Sequence, residues 1–112
     1  MDNPLLSKEE NLAVERNLRG RELEKQGDIT GAIELYELNI ASCFEGDFPY
    51  DRLRVIYSKQ KRYDDVIRVL ERAIDVFDNK VFPNRPDRLP KLERFRLQLE
   101  QAKNLRISKY EQ

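Results

Sequence analysis

Gly27-Asp28-Ile29-Thr30-Gly31-Ala32-Ile33-Glu34-Leu35-Tyr36-Glu37-Leu38-Asn39-Ile40 reads as a helix stop, a cap and a second helix. Glycine enters the left-handed region without a Cβ penalty, so Gly27 suits the residue just beyond a helix end. Asp28 can then accept from the free amides of the next helix. Ile33, Tyr36 and Ile40 recur at spacings of three and four, which sets them along one helical face. Two antiparallel helices joined by a tight turn are therefore expected here.

Upstream of this stretch, Ser7-Lys8-Glu9-Glu10 has the form of a capping box, in which Ser7 and Glu10 satisfy each other's amides. A first helix is predicted from about Lys8 to Gln26, with Leu12, Ala13, Val14, Leu18 and Leu23 as apolar positions and Gly20 allowing close approach of a neighbour. The second runs from about Ile29 to Phe44. Asp47 is the expected cap of a third, from about Phe48 to Gln60, with Pro49 tolerated in its first turn. Tyr50, Leu53, Ile56 and Tyr57 share one side of it. A fourth runs from about Tyr63 to Asn79, with Val66, Ile67, Leu70, Ala73, Ile74 and Phe77 at helical spacing. Pro83, Pro86 and Pro90 stiffen the connector 80–90, where Val81 and Phe82 are expected to tuck inward. A last helix begins near Asp87 to Pro90, runs to about Lys109 and docks through Leu92, Phe95, Leu99 and Ala102. No alternation of strand type competes, and the fold class is all-α.

The second and fourth helices match at one constant offset. Ile33, Glu37 and Ile40 fall on Ile67, Glu71 and Ile74, and Tyr36 falls on Leu70. A helix-turn-helix unit repeating at this interval, about 34 residues, resembles the tetratricopeptide repeat. The resemblance covers residues 12 to 79 and implies antiparallel helix pairs stacked as a fragment of an α-solenoid. One domain, 1–112, then holds a first unit at 12–45, a second at 46–79, the connector 80–90 and a capping helix at 91–110. Arg16, Arg19, Arg54 and Lys61-Arg62 depart from the family's usual residues. A terminal helix is what such an array needs to cover its last apolar face.

Composition narrows the function. The chain is 39% hydrophobic and 38% charged, and it has no histidine, which removes the commonest general base and metal ligand. Its single cysteine, Cys43, cannot form an intramolecular disulfide, suits a reducing cytoplasm and reads as a small buried apolar residue. The four glycines form no phosphate-cradling pattern. These features point away from an enzyme and call for no cofactor and no metal. The first residues show no secretion signal, and there is no membrane-length apolar run.

The net charge of zero divides unevenly. Residues 1–79 hold 12 Lys and Arg against 17 Asp and Glu, and residues 80–112 hold 9 against 4. Such a split suits nucleic acid at the C-terminal end, head-to-tail contact between neighbouring chains, or ordinary variation among helix surfaces.

In tetratricopeptide arrays the first helix of each unit lines a concave groove that holds peptides. By that resemblance Val14, Asn17, Leu18, Arg21 and Lys25 face the groove from the first unit. Phe48, Asp51, Arg52, Val55 and Lys59 face it from the second, and Arg94 joins from the last helix. Such a surface suits a partner protein's peptide segment, acidic or ending in a carboxylate, through charge-assisted bonds, with Phe48 and Val55 selecting shape. Two alternatives stand beside this protein-binding reading. One is a self-associating structural protein, a homodimer to which Leu5 and Leu6 contribute. The other is a nucleic-acid accessory protein using the basic C-terminal segment, a weaker case because little but charge would carry it.

Overall fold

Short turns fold each helix back on its predecessor, and the sequence explains where each one stops. The computed structural model describes residues 2–111. Its elements are α1 (Lys8–Lys25), α2 (Ile29–Ala41), α3 (Phe48–Lys59), α4 (Tyr63–Asp75) and α5 (Arg88–Glu111), with no strand among the described residues. Each helix packs chiefly against the next, and α2 also touches α4. The stack measures 52 × 37 × 17 Å, flat for its length.

The expected caps form at α1 and α2. Glu10 N–H donates to Ser7 Oγ at 3.1 Å and Ser7 N–H to Glu10 Oε2 at 3.3 Å. Asp28 Oδ1 accepts from Gly31 N–H at 2.9 Å. Asp47, the expected cap of α3, makes no capping bond. Its carboxylate instead meets Lys91 and Arg94 of α5, two cations that a neutral amide cannot outcompete.

The turn after α1 recurs after α3. Asp28 N–H donates to Leu23 O at 2.8 Å, and one repeat further on Arg62 N–H donates to Tyr57 O at 2.9 Å. Gly27 takes φ +83°, and Lys61 takes φ +56° in its place. The α2 terminus uses the same six-to-one closure, Phe44 N–H to Asn39 O at 3.1 Å, with Cys43 at φ +59°.

Helix α1 docks through its small residues, so that of the positions expected along the groove Val14 and Leu18 stay exposed and Asn17 does not. Ala13, Asn17 and Gly20 are buried, whereas Leu12, Val14 and Leu18 are exposed. The reason lies in α2. A Cβ at Gly20 would sit 2.5 Å from Tyr36 Cε1, so the Tyr36 ring fills the space that glycine leaves. Asn39 Nδ2 donates to Ala13 O at 2.7 Å and to Asn17 Oδ1 at 2.8 Å. Small residues bring the two backbones close, and larger ones are turned outward.

Helix α4 carries the centre of the core, burying Val66, Ile67, Val69, Leu70 and Ala73 between its neighbours. The predicted continuation to Asn79 is present as a π turn, Val76–Lys80, closed by Val81 N–H to Val76 O at 2.9 Å. Widening the helix by one residue lets Val76, Phe77 and Val81 all be buried. Phe82, expected to tuck in with Val81, is exposed, and its carbonyl accepts from Arg85 N–H in the next turn. Helix α5 then lies on α4 through Leu92, Phe95 and Ala102, all buried. Phe95 meets the rings of Phe77 and Tyr50 edge to face at 5.3 and 6.3 Å.

Candidate functional site

Three helices meet at one carboxylate. Glu24 of α1 accepts from the Tyr36 hydroxyl of α2 at 2.6 Å and from Arg52 of α3 at 2.6 and 3.0 Å. Burial opposes the charge on Glu24, but the Arg52 and Tyr36 bonds outweigh it and hold the carboxyl below its usual range. Burial, with the same bond, pushes the Tyr36 phenol up. Lys59 is near enough for its charge to act on Glu24, and Arg21 acts likewise on Tyr36. Arg21, Arg52 and Lys59, named from sequence, are thus brought together around a carboxylate that sequence reading did not name. Its position three residues after Arg21 on the same stripe was the available signal.

The other named residues divide. Lys25 is exposed beside this centre, Val14 and Leu18 are exposed further along α1, and Val55 is half-buried on α3. Phe48 is also half-buried, with its ring edge to face on Tyr36 at 5.8 Å. Asn17 does not face a groove: it is buried as the partner of Asn39. Arg94 is brought to Asp51, another of the named residues, at 2.7 Å, and to Asp47 at 3.1 Å, with its guanidinium 4.7 Å from the Phe95 ring centre. Its charge, and that of Asp51, is used inside the chain.

A second cluster of the same make-up lies one helix along. Glu37 of α2 accepts from the Tyr57 hydroxyl of α3 at 2.6 Å and from Arg68 Nη1 of α4 at 3.0 Å. Each cluster ties three successive helices through one glutamate, one tyrosine and one arginine.

The basic C-terminal segment is also largely engaged. Arg88 bonds the Phe77 carbonyl, Lys91 pairs with Asp47 and Asp87, Arg106 with Asp64, and Lys109 donates to Lys61 O. Asp47, Asp51, Asp64 and Asp78 all belong to the acidic segment 1–79. The uneven charge is therefore spent within the chain, holding α5 against α3 and α4, an outcome absent from the sequence expectations.

A cleft of about 410 Å³ opens between the start of α1 and the α2–α3 loop, with Leu6, Ala13, Val14 and Phe44 among its walls. Cys43, expected to be buried, is half-buried there, with Arg72 Nη1 at 3.7 Å from its sulfur. Its left-handed backbone ends α2, and its side chain packs at the edge of the core. No helix among the described residues is long and apolar enough to cross a membrane.

No family model matches the chain, and neither a similar curated protein nor a similar solved structure is found.

Proposed function

We propose that the chain is a small, non-enzymatic protein-interaction module of tetratricopeptide-like build, working in the cytoplasm. It holds a partner's peptide segment along the α1–α3 face, an acidic segment with one apolar side chain. The observation that carries this reading is the stripe Val14, Leu18, Arg21 and Lys25 on α1, exposed throughout and continued across α3 by exposed Lys59. Among the described residues none of these three cations makes an ion pair, whereas Arg52 and Arg94 do. An acidic peptide would find charge at one end of the stripe and apolar surface at the other. The turn that recurs one repeat later supports the tetratricopeptide resemblance. The nucleic-acid alternative has less support, because so many C-terminal cations already face carboxylates or carbonyls of the chain.

Fluorescence anisotropy with labelled peptides containing leucine flanked by Asp and Glu tests the reading. Binding should weaken as salt rises, and it should fall at least about tenfold in the Arg21→Glu, Lys59→Glu double variant, whose helicity stays unchanged. If acidic peptides fail to bind, or the double variant binds them equally well, the reading is wrong.

A further inference from the structure

One flank of α5, beside the stripe that docks on α4, carries a seam of six residues, of which Lys103 is half-buried and the rest are exposed. Leu89, Glu93, Arg96, Glu100, Lys103 and Ile107 succeed one another at intervals of 4, 3, 4, 3 and 4. That is the spacing at which one helix presents a continuous line to another. Leu89, Leu97 and Ile107 are 57%, 62% and 52% exposed, and Glu93, Arg96 and Glu100 are exposed with them. Within the chain, Arg96 reaches Asp78 at 3.7 Å and Lys103 reaches Glu100 at 3.8 Å, loose surface pairs of small value.

The order of these residues is its own complement when reversed. Two α5 helices laid antiparallel about a two-fold axis level with Gln98 set Leu89 against Ile107 of the copy. Glu93 then meets Lys103, and Arg96 meets Glu100. Every contact occurs twice by symmetry, and Leu97 lies beside the axis close to its own copy. A parallel pair would oppose Glu93, Arg96, Glu100 and Lys103 each to itself. From this charge complementarity we infer that this flank of α5 is a self-association surface whose occupant is the antiparallel α5 of a second copy of this chain.

The seam runs from Leu89 to Ile107, about 27 Å of helix. A contact of that length buries less than about 1,200 Å², which belongs to weak, reversible association. Its four central positions are charged, so salt must loosen it. The surface is separate from the α1–α3 face, and its failure would leave the peptide-binding reading untouched.

Sedimentation equilibrium from about 10 µM to about 1 mM protein, at about 20 mM and about 300 mM salt, is the test. A monomer–dimer equilibrium is expected, weakened at the higher salt. Arg96→Glu and Glu100→Arg should each raise the dissociation constant at least about tenfold, because each creates two like-charge contacts. Both side chains are exposed, so circular dichroism of the variants should match the parent. An equimolar mixture of the two variants should dimerise again, since the introduced glutamate of one chain then faces the introduced arginine of the other. A parent chain that stays monomeric at low salt overturns the inference. So does a dimer that either variant leaves intact, or a mixture that fails to recover.

Discussion

The pairs α1–α2 and α3–α4 share a backbone and differ in what fills them. Both turns close with the same six-to-one hydrogen bond, and Asp28 and Arg62 adopt nearly the same dihedrals, φ −87° and ψ 76° against φ −92° and ψ 68°. Between the helices the contents diverge. The first pair meets over Ala13, Asn17, Gly20 and Asn39, a close contact of small and amide side chains. At the matching positions the second has Asp47, Asp51, Arg54 and Ala73, and its interior is apolar, built from Leu53, Tyr57, Val66 and Leu70. Position in the stack accounts for this. The second pair lies between α2 and α5 and must bury apolar surface on both sides, whereas the first has a neighbour on one side only. Turn geometry is thus set by backbone bonding that several residue types can satisfy, and the contents of a pair by what lies next to it.

Removing the glutamate from each three-helix cluster is the most forceful way to break the comparison. Glu24 is 14% exposed and Glu37 28%. Glu24→Ala strands a fully buried tyrosine and should cost about 2–3 kcal/mol in urea unfolding. Glu37→Ala strands the equally buried Tyr57 but frees an arginine that is 49% exposed, against 34% for Arg52, and should cost about 1–2 kcal/mol. An equal or larger loss for Glu37→Ala would show that the clusters do not differ as their burial suggests. Because the folded-state pKa of Glu24 is depressed, its contribution is complete above the ordinary carboxylate range and is lost as pH falls through the folded value. The parent should therefore begin to lose this stability as pH falls below about 5 and go on losing it below the ordinary glutamate value, and Glu24→Gln should flatten that slope.

The matched positions 20 and 54 provide a smaller contrast. Alanine at 20 gains about 1 kcal/mol in helix propensity but pushes into a Tyr36 ring that the Glu24 bond holds in place, for a net loss of about 1–2 kcal/mol. Arg54→Ala removes a buried Nε that lacks a partner and should stay within about 0.5 kcal/mol of the parent. Thermal unfolding of both variants would show whether close approach belongs to the first pair alone.

The smallest effects come from the two turns, and they should have opposite signs. Gly27→Ala places a Cβ at φ +83° and should cost about 1 kcal/mol, whereas Lys61→Gly relieves φ +56° and should gain up to about 1 kcal/mol. Urea unfolding of both variants measures the difference. If Lys61→Gly destabilised instead, the long Lys61 side chain would be holding its turn in some other way.

Some residues are legible from the sequence and others mislead, for separable reasons. Ser7, Gly27, Asp28 and the docking residues of α5 can be read directly, because caps and the spacing of Leu92, Phe95, Leu99 and Ala102 are local. Gly20 reads correctly as a point of close approach. On α1, Val14 and Leu18 are exposed, as a groove position requires, whereas Asn17, expected beside them, is buried with Asn39. Phe82 misleads, because it follows a π turn that composition does not encode and stays outside, while Cys43 is half-buried against the core rather than fully enclosed. Of the candidate surface, Arg21, Arg52 and Lys59 prove to be neighbours. Glu24, which joins two of the helices carrying them, becomes visible only once three helices are in place.

Local sequence alone establishes that the chain is all-helical, where its helices begin and end to within a turn, and that the chain reverses at Lys61-Arg62. These follow from hydrogen bonding and side-chain period close to each position. Only the tertiary structure decided which face of α1 turns inward and where the opposite charges of the two halves meet. Packing and ion pairing act between residues far apart in the chain, so Asp47 could become a partner of Arg94 rather than a helix cap only when α5 lay beside it.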